Sequence, residues 1–510
     1  MQVYDTIISG CGPVGALLAN LLRDYGHQVA IFDREKDIFY APRAMVFDDE
    51  SLRILQGLGL LNELQQQLRS VHHLAITDKD RNKLLIFDLT TLGMPYGYPI
   101  MTTFHQPRFE QVLRRRLSQV GVDTFLGWEV LDIKDVGTHC QLLARNTNTN
   151  TVEKFQSRYV IGCDGATSLT RKIINTRRLD LGYSEKWIVM DTMVKDKDFF
   201  ASLPETSEVR CSTERAAIYF KGIDGHVRFD YVAGNNELTG DTTAIAHSHI
   251  AKYFDPTKFD IVRVAPYTFY AGMPESWRQN RLLLAGDAAH QTPPFAGQGL
   301  NMGFRDAVNI AFKLHLVLTN KASDNLLDTY QQERQPVTIE TIRGAILGGK
   351  IPTLTNPILI VLRNFLFFLG RNISIISKIL FKKLIYKPYY RNGYIGSHRL
   401  SGHLMIQPKV QTNSGKDCFL DDLMRQNFVL LSSKVIDRVT ISQCQAATGM
   451  QLLVLGQDFI DKDGVLQDWF ANNDINCVLV RPDKYIYSAG NSPTTLCNGF
   501  LQHWNTFSKS

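Results

Sequence analysis

A chain of 510 residues that is 44% hydrophobic and 21% charged has ordinary globular composition and is long enough for two or three cores. Its net charge of +6 is local: Thr341 to Lys416 holds twelve Lys or Arg and no Asp or Glu, while the rest carries 44 cations against 50 acids. With no helix-turn-helix, RRM or zinc-finger pattern beside that segment, nucleic-acid binding is set aside.

The eight cysteines are scattered, with no CxxC pair and no histidine at metal-ligand spacing. That usage predicts reduced thiols, a cytoplasmic location and no metal site. Met1 leads directly into a β-branched pattern, without the basic start and long apolar stretch of a secretory signal, so export is not expected.

Val3, Ile7 and Ile8 predict a buried strand. Gly10-Cys11-Gly12-Pro13-Val14-Gly15 follows, then a helix with apolar spacing at Leu17, Leu18, Leu21 and Leu22, and a second strand over Gln28 to Phe32. Gly10 allows the tight turn, Gly12 lets backbone approach a pyrophosphate, and Gly15 lets the helix pack on the sheet. The helix N-terminus offers N–H groups to phosphate. Asp33, with Arg34 beside it, stands where a carboxylate accepts from ribose hydroxyls. This context marks a dinucleotide site without separating FAD from NAD.

Farther on, the strand Tyr159-Val160-Ile161 runs into Gly162-Cys163-Asp164-Gly165, followed by Arg171 and Lys172 at the start of a helix. Strand patterns then recur at Trp187 to Val194, Glu208 to Cys211, Ala216 to Phe220, His226 to Ala233 and Ile261 to Tyr270. Arg281 to Ala285 predicts another buried strand leading into Gly286-Asp287-Ala288-Ala289-His290. A glycine-rich stretch containing Pro294, Gly297, Gln298, Gly299, Leu300 and Asn301 precedes a helix expected from about Phe304 to Leu318. Asp287 suits either a hydroxyl-rich ligand or a helix N-cap. His290 reads equally as structural or as a proton relay.

Together these residues resemble the group A FAD-dependent aromatic monooxygenases with the p-hydroxybenzoate hydroxylase fold. The resemblance rests on Gly10 to Gly15, Asp164-Gly165 and Gly286-Asp287, with smaller matches at Arg43 and Gln106. It implies that Asp287 meets the flavin ribityl chain, that Gly297 to Asn301 wraps the ring, and that Asp164-Gly165 lies near FAD and the path of a transient NADH or NADPH. It also implies O2 as co-substrate, a flavin C4a-hydroperoxide as oxygen donor, and a Pro294 carbonyl facing a phenolic hydroxyl. No side-chain acid or base is assigned. No second GxGxxG context appears after residue 34, so the reductant is expected to visit without its own fold.

The expected architecture is α/β: a Rossmann-like FAD-binding domain (1–180 and 270–345) with an inserted β-sheet substrate domain (181–269). Tyr219, Phe220, Arg228, Tyr231, Tyr267 and Tyr270 are candidates to line the substrate pocket, each weighed against ordinary sheet packing. A basic helical segment (346–400) follows. Its apolar stretch Pro357 to Gly370 and Ile373 to Ile385, with Lys378, Lys382 and Lys383, is too short and too charged to span a membrane. Covering the FAD domain or forming a homodimer contact is the favoured reading, and peripheral membrane contact through 357–387 the other.

From about Ser401 the pattern of short strands and helices resembles the thioredoxin-like C-terminal domain (401–510) of phenol hydroxylase-type flavoproteins, without the redox CxxC. Phe47-Asp48-Asp49-Glu50, Gln407-Pro408 and Leu420-Asp421-Asp422 resemble the 3-(3-hydroxyphenyl)propionate hydroxylase branch. The strand Arg228-Phe229-Asp230-Tyr231 departs from that branch's Arg-Trp-Glu-Phe. The implied activity is NAD(P)H-dependent hydroxylation of a small phenolic substrate. The alternatives are a flavin reductase or dehydrogenase on the same fold, or a flavin-stabilised binding protein.

Overall fold

The computed structural model describes residues 3–213, 215–234, 242–373, 375–376, 379, 387–424, 426–436 and 438–508. Its first sheet has a parallel centre in the order Leu282–Leu284, Val152–Gly162, Val3–Ser9, Val29–Asp33, Asp123–Leu126. These central strands are covered on both faces, which is why they read as apolar runs without alternation. The helix Pro13–Asp24 packs against the long helix Gln298–Leu318. The carboxyl ends of the parallel strands collect Gly10, Asp33, the Gly162–Asp164 corner and Gly286 along one edge, the usual place for a ligand in an open parallel sheet.

A second, seven-stranded sheet runs Asp260–Pro274, Arg178–Met193, His226–Val232, Ala217–Lys221, Ser207–Arg210, His73–Thr77, Lys83–Asp88. The last two strands come from the stretch between the first motif and Gln106, which the sequence reading left unassigned. Alternation divides this sheet into two faces. Ile188, Met190, Tyr219, Val227, Phe229 and Tyr231 form one core with Ala246 and Ile250 of the helix Thr242–Ile250. Trp187, Val189, Asp191, His226, Arg228, Asp230, Arg263 and Tyr267 share the opposite face by register. Tyr219 and Tyr231 are therefore corrected as pocket candidates: they point away from Arg228 and Tyr267 and are buried in the outer core.

The C-terminal unit is a four-stranded sheet ordered Gln451–Val454, Val429–Ser432, Cys477–Val480, Ile486–Gly490, with helices Arg438–Thr448 and Pro493–Asn505. A parallel βαβ pair is followed by an antiparallel hairpin and a helix. Charge joins this unit to the first sheet's domain. Lys313 and Glu333 pair at 2.8 Å, Arg481 donates to Glu333 at 2.8 Å, and Asn309 donates to both Glu333 and Asp483. All four charged side chains are fully buried.

The segments singled out for the hydroxyphenylpropionate branch meet at the same joint. Arg53 grips Asp421 with two bonds of 2.6 and 2.7 Å, Gln56 donates to Asp422, and Gln407 donates to Gln56 and to the Tyr96 carbonyl. Glu50 takes the Tyr485 hydroxyl and Arg305, Asp48 also takes Arg305, and Asp49 takes Lys387.

The helix Pro357–Asn372 does not cover the FAD-side domain. It rests on the edge strand Lys83–Asp88 through Phe367 and leaves most of its apolar residues in solvent. Lys378, Lys382 and Lys383 lie outside the described residues. Among the described residues no helix is long and apolar enough to cross a membrane.

Candidate functional site

The site is a groove along the strand ends, built first by backbone. Gly10 takes φ +106°, and a Cβ there would meet the Cys163 carbonyl oxygen at 2.4 Å, so the first turn and the Asp164 corner touch. A Cβ on Gly12 would meet nothing within 4 Å, which leaves open space above the N-terminus of Pro13–Asp24. That helix has no side-chain cap, so its first N–H groups remain available to an anion. Asp33 accepts from Cys11 N at 2.7 Å and Glu35 N at 2.9 Å, which orients its carboxylate at the rim. Arg34 is exposed and pairs with Glu35 at 3.1 Å.

Asp164 is drawn inward. It accepts from Ser168 Oγ and from Thr170 N and Oγ1 at 2.9 and 3.0 Å, so its carboxylate fastens the helix Leu169–Ile174, while Gly165 turns at φ +75°. Arg171 donates to the Ala288 carbonyl at 2.9 Å and to the Ala166 carbonyl, tying this corner to the Gly286 turn.

Gly286–Ala288 is a single 3-10 turn, and Asp287 caps no helix. Its side chain is exposed, with no hydrogen bond or ion pair among the described residues. Partial desolvation within the groove raises its carboxyl from its ordinary value. His290 lies directly behind, fully buried, with Nε2 2.7 Å from Asp306 Oδ2. Asp306 also accepts from Gly286 N at 3.0 Å and Arg334 Nε at 2.8 Å. His290 thus has a structural place under the turn.

Gly297 turns at φ +61° and the following helix begins at once at Gln298, six residues earlier than expected, because the left-handed residue itself ends the turn. This second helix N-terminus also lacks a side-chain cap, and Gly299 and Leu300 are half-buried in its first turn. Gln298 accepts from Arg305 at 3.3 Å. The Asn301 side chain is committed inward: it donates to the Gly297 and Val46 carbonyls and accepts from Asp48 N and Ser51 Oγ.

Gln106 spends its amide oxygen on Arg43 N and Ala44 N at 2.9 and 2.6 Å and donates to Glu110 at 2.7 Å. The Arg43 guanidinium is left exposed, 5.5 Å from the Phe39 ring centre. Arg114, which the sequence reading missed, donates to the Cys11 carbonyl at 3.3 Å and so sits beneath the first glycine turn. Gln106, Glu110 and Arg114 recur every fourth residue on the helix Gln106–Gln119, a stripe that was visible in the sequence.

The second sheet turns its Arg228 face to this groove. Arg228 pairs with Asp230 at 2.9 Å and donates to the Arg43 carbonyl at 3.0 Å, and Arg263 donates to the Pro42 carbonyl at 3.1 Å. Arg228 therefore positions the Arg43 loop. Arg263 also holds Asp191 at 2.6 Å and donates to the Tyr267 hydroxyl at 3.0 Å, and Asp191 meets His226 at 3.1 Å. Trp187 packs on Phe295 beside Pro294, with ring centres 5.1 Å apart. Phe220 pairs with Arg228 in register and is half-buried on this face. Tyr270 instead lies under Arg178, 4.3 Å from ring centre to guanidinium carbon.

Two unshielded helix N-termini, rim acids and an unpartnered carboxylate between them match the donor set of a dinucleotide flavin: N–H groups for pyrophosphate and ring oxygens, carboxylates for hydroxyls. Residues 3–345 match the family model described as an FAD binding domain. The chain belongs to this FAD-binding family. Residues 402–497 of the flavoprotein match a second model, the HcaD C-terminal domain.

Over its length the flavoprotein is 30% identical to a probable NADH-specific resorcinol 4-hydroxylase of Rhodococcus jostii, covering 95% of this chain and 92% of that protein. It is 28% identical to a 3-(3-hydroxy-phenyl)propionate/3-hydroxycinnamic acid hydroxylase of Mycolicibacterium gilvum, covering 95% and 89%. Its fold matches the flavin-dependent monooxygenase PieE, solved with FAD and substrate, at TM-score 0.84 and 17% identity over 99% of both chains. Aklavinone-11 hydroxylase matches at TM-score 0.79 and 17% identity over 98% of this chain and 99% of that one.

Proposed function

We propose that this flavoprotein is an NADH- or NADPH-dependent monooxygenase that hydroxylates a small phenolic compound. The observation that carries the reading is the placement of Asp287, unpartnered between two uncapped helix N-termini and opposite a sheet face that presents Trp187, Phe220 and Tyr267. The N–H groups of Gly12 and Val14 would take the pyrophosphate, Asp33 the ribose, Asp287 the ribityl hydroxyls, and the N–H groups of Gln298 to Asn301 the ring oxygens. Arg43 reaches the same groove from a loop held by Gln106 and Arg228.

When bound, FAD supplies the electron and oxygen-transfer chemistry. The chain positions the ring of the substrate and keeps water from it, work suited to Trp187, Phe220 and Phe295. A substrate hydroxyl can donate to the Pro294 carbonyl. Because Arg263 donates to the Tyr267 oxygen, the Tyr267 hydrogen is free to point at a ligand oxygen. The R. jostii relative's name supports NADH as reductant, and the names of both relatives support a resorcinol or hydroxyphenylpropionate type of substrate.

We read 1–180 with 270–345 as the FAD domain, 181–269 as the core of the substrate sheet, and 346–400 as a basic connecting segment. The βαβ and hairpin order supports reading 401–510 as a thioredoxin-like unit without CxxC. The test is NADH and NADPH consumption with a panel of phenols and hydroxyphenylpropionic acids under isotopically labelled oxygen. A product one labelled oxygen heavier is expected. Consumption stimulated by these compounds with only unlabelled or reduced products would refute hydroxylation.

A further inference from the structure

The helix Pro357–Asn372 is inside out for a surface helix. At 100° per residue, Ile358, Leu359, Val361, Leu362, Phe365, Leu366 and Phe368 occupy one half of its circumference, and every one of them is exposed. Exposure reaches 77% at Ile358, 69% at Val361 and 60% at Phe368. The two arginines reach back to the protein instead. Arg363 donates to the Ile351 carbonyl and Arg371 to the Lys83 carbonyl, both at 3.1 Å, on either side of buried Phe367. Ile373 and Ile375, just past the helix, are exposed as well. So continuous a patch is not tolerated on a freely soluble surface without a partner.

The charge pattern identifies which partner. The helix lies within the stretch from Thr341 to Lys416, which has no acid. Of its twelve cations, Lys387 and Arg391 pair with Asp49 and Glu340, and Arg363 and Arg371 serve carbonyls. Arg343 and Lys350 stand exposed ahead of the helix, and Lys378, Lys382 and Lys383 follow it in sequence. A second copy meeting it across a two-fold axis would bring two acid-free basic segments together, which is electrostatically unfavourable. A surface with apolar depth and negative headgroups satisfies both features at once. At 16 residues the helix is too short to cross a bilayer but suits lying in its interface. We propose that this helix docks the protein on an anionic lipid bilayer, with Ile358, Val361, Leu362, Phe365 and Phe368 entering the acyl boundary. The proposal is independent of the reaction assigned to the flavin groove.

The experiment is co-sedimentation of the full-length, FAD-loaded protein with vesicles of phosphatidylcholine plus phosphatidylglycerol, against vesicles of phosphatidylcholine alone. Binding to the mixed vesicles that weakens as salt rises is expected, with partitioning reduced at least ~10-fold in Phe365→Glu/Phe368→Glu. Both substituted residues are exposed and lie on a different element from the flavin groove, so an unchanged yellow colour reports that the variant is folded. No sedimentation with the mixed vesicles overturns the proposal. So does a dimer that the double variant converts to monomer while vesicle binding is absent. Equal binding to neutral vesicles overturns the anionic assignment.

Discussion

Val14, in the first turn of the nucleotide helix, fills the space left by the missing side chain of Gly303. A Cβ on Gly303 would come within 2.5 Å of Val14 Cγ2 and 3.3 Å of the Gly286 Cα. The contact brings the pyrophosphate turn, the Asp287 turn and the Gln298 helix into one block.

Gly303→Ala therefore separates helix propensity from packing. In an open helix the change adds up to ~1 kcal/mol of stability. Here it should lower the melting temperature and weaken FAD binding ~10-fold or more, because Val14 or the helix must shift. Val14→Ala/Gly303→Ala should recover most of the lost affinity. A single Gly303→Ala variant that is more stable and fully yellow would show that the contact is slack.

Asp287→Ala should release FAD, since a carboxylate that accepts from hydroxyls contributes ~1.5–3 kcal/mol, or roughly 10- to 100-fold in affinity. Asp287→Asn should fall between the two, keeping an acceptor without the charge. Fluorescence titration of the apoprotein with FAD measures all three; wild-type affinity in the alanine variant would remove Asp287 from the cofactor contacts.

Acid should loosen the joint to the C-terminal unit. Burial alone would raise the Glu333 carboxyl, but Arg481 and Lys313 outweigh it and hold the group down to about 2 from 4.5. The unfolded chain thus binds the proton first on acidification. The stabilisation is complete above about pH 4.5 and is lost as pH falls toward about 2, a difference of about 3 kcal/mol. Glu333→Gln should be destabilised by ~3–5 kcal/mol at neutral pH because Lys313 loses its buried partner and Arg481 is left with Asp483 alone. The gap to wild type should narrow between pH 5 and about pH 3 in denaturant titrations. A constant gap would assign the loss to packing.

Tyr267→Phe tests the sheet's part in the reaction. With the hydroxyl gone and Arg263 still held by Asp191, substrate should bind ~3- to 10-fold more weakly. NADH consumption should also become less coupled to product. The readout is the ratio of product formed to NADH consumed alongside KM; an unchanged ratio and KM would place Tyr267 outside the substrate's reach.

The glycine turns were legible because each requirement is local: a positive φ at Gly10 and Gly297, and open space at Gly12, leave a mark in the residue itself. The destinations of side chains were less visible. Asp164 and Asn301 carry motif positions, yet Asp164 spends its carboxylate on its own corner, at Ser168 and Thr170, and Asn301 serves Val46 and Ser51, which the fold supplies from far away in the chain. Tyr219 and Tyr231 were misplaced for a simpler reason. Aromatic content was read without the period of two that separates them from Arg228 and Tyr267. The strand His73–Thr77 is short and distant in sequence from its partner Ser207–Arg210, so nothing nearby announced that pairing, although its hairpin with Lys83–Asp88 is local.

The chain Tyr485 to Glu50 to Arg305 to Gln298 has a consequence for chimaeras. A C-terminal unit grafted from a relative would have to bring its own match for Asp48, Asp49, Glu50 and Arg53, or leave buried charges stranded beneath the flavin helix. Module exchange at residue 400 should therefore fail unless residues 47–56 travel with the graft. Likeness between two such proteins in these segments reports a shared joint between units and says nothing of a shared substrate.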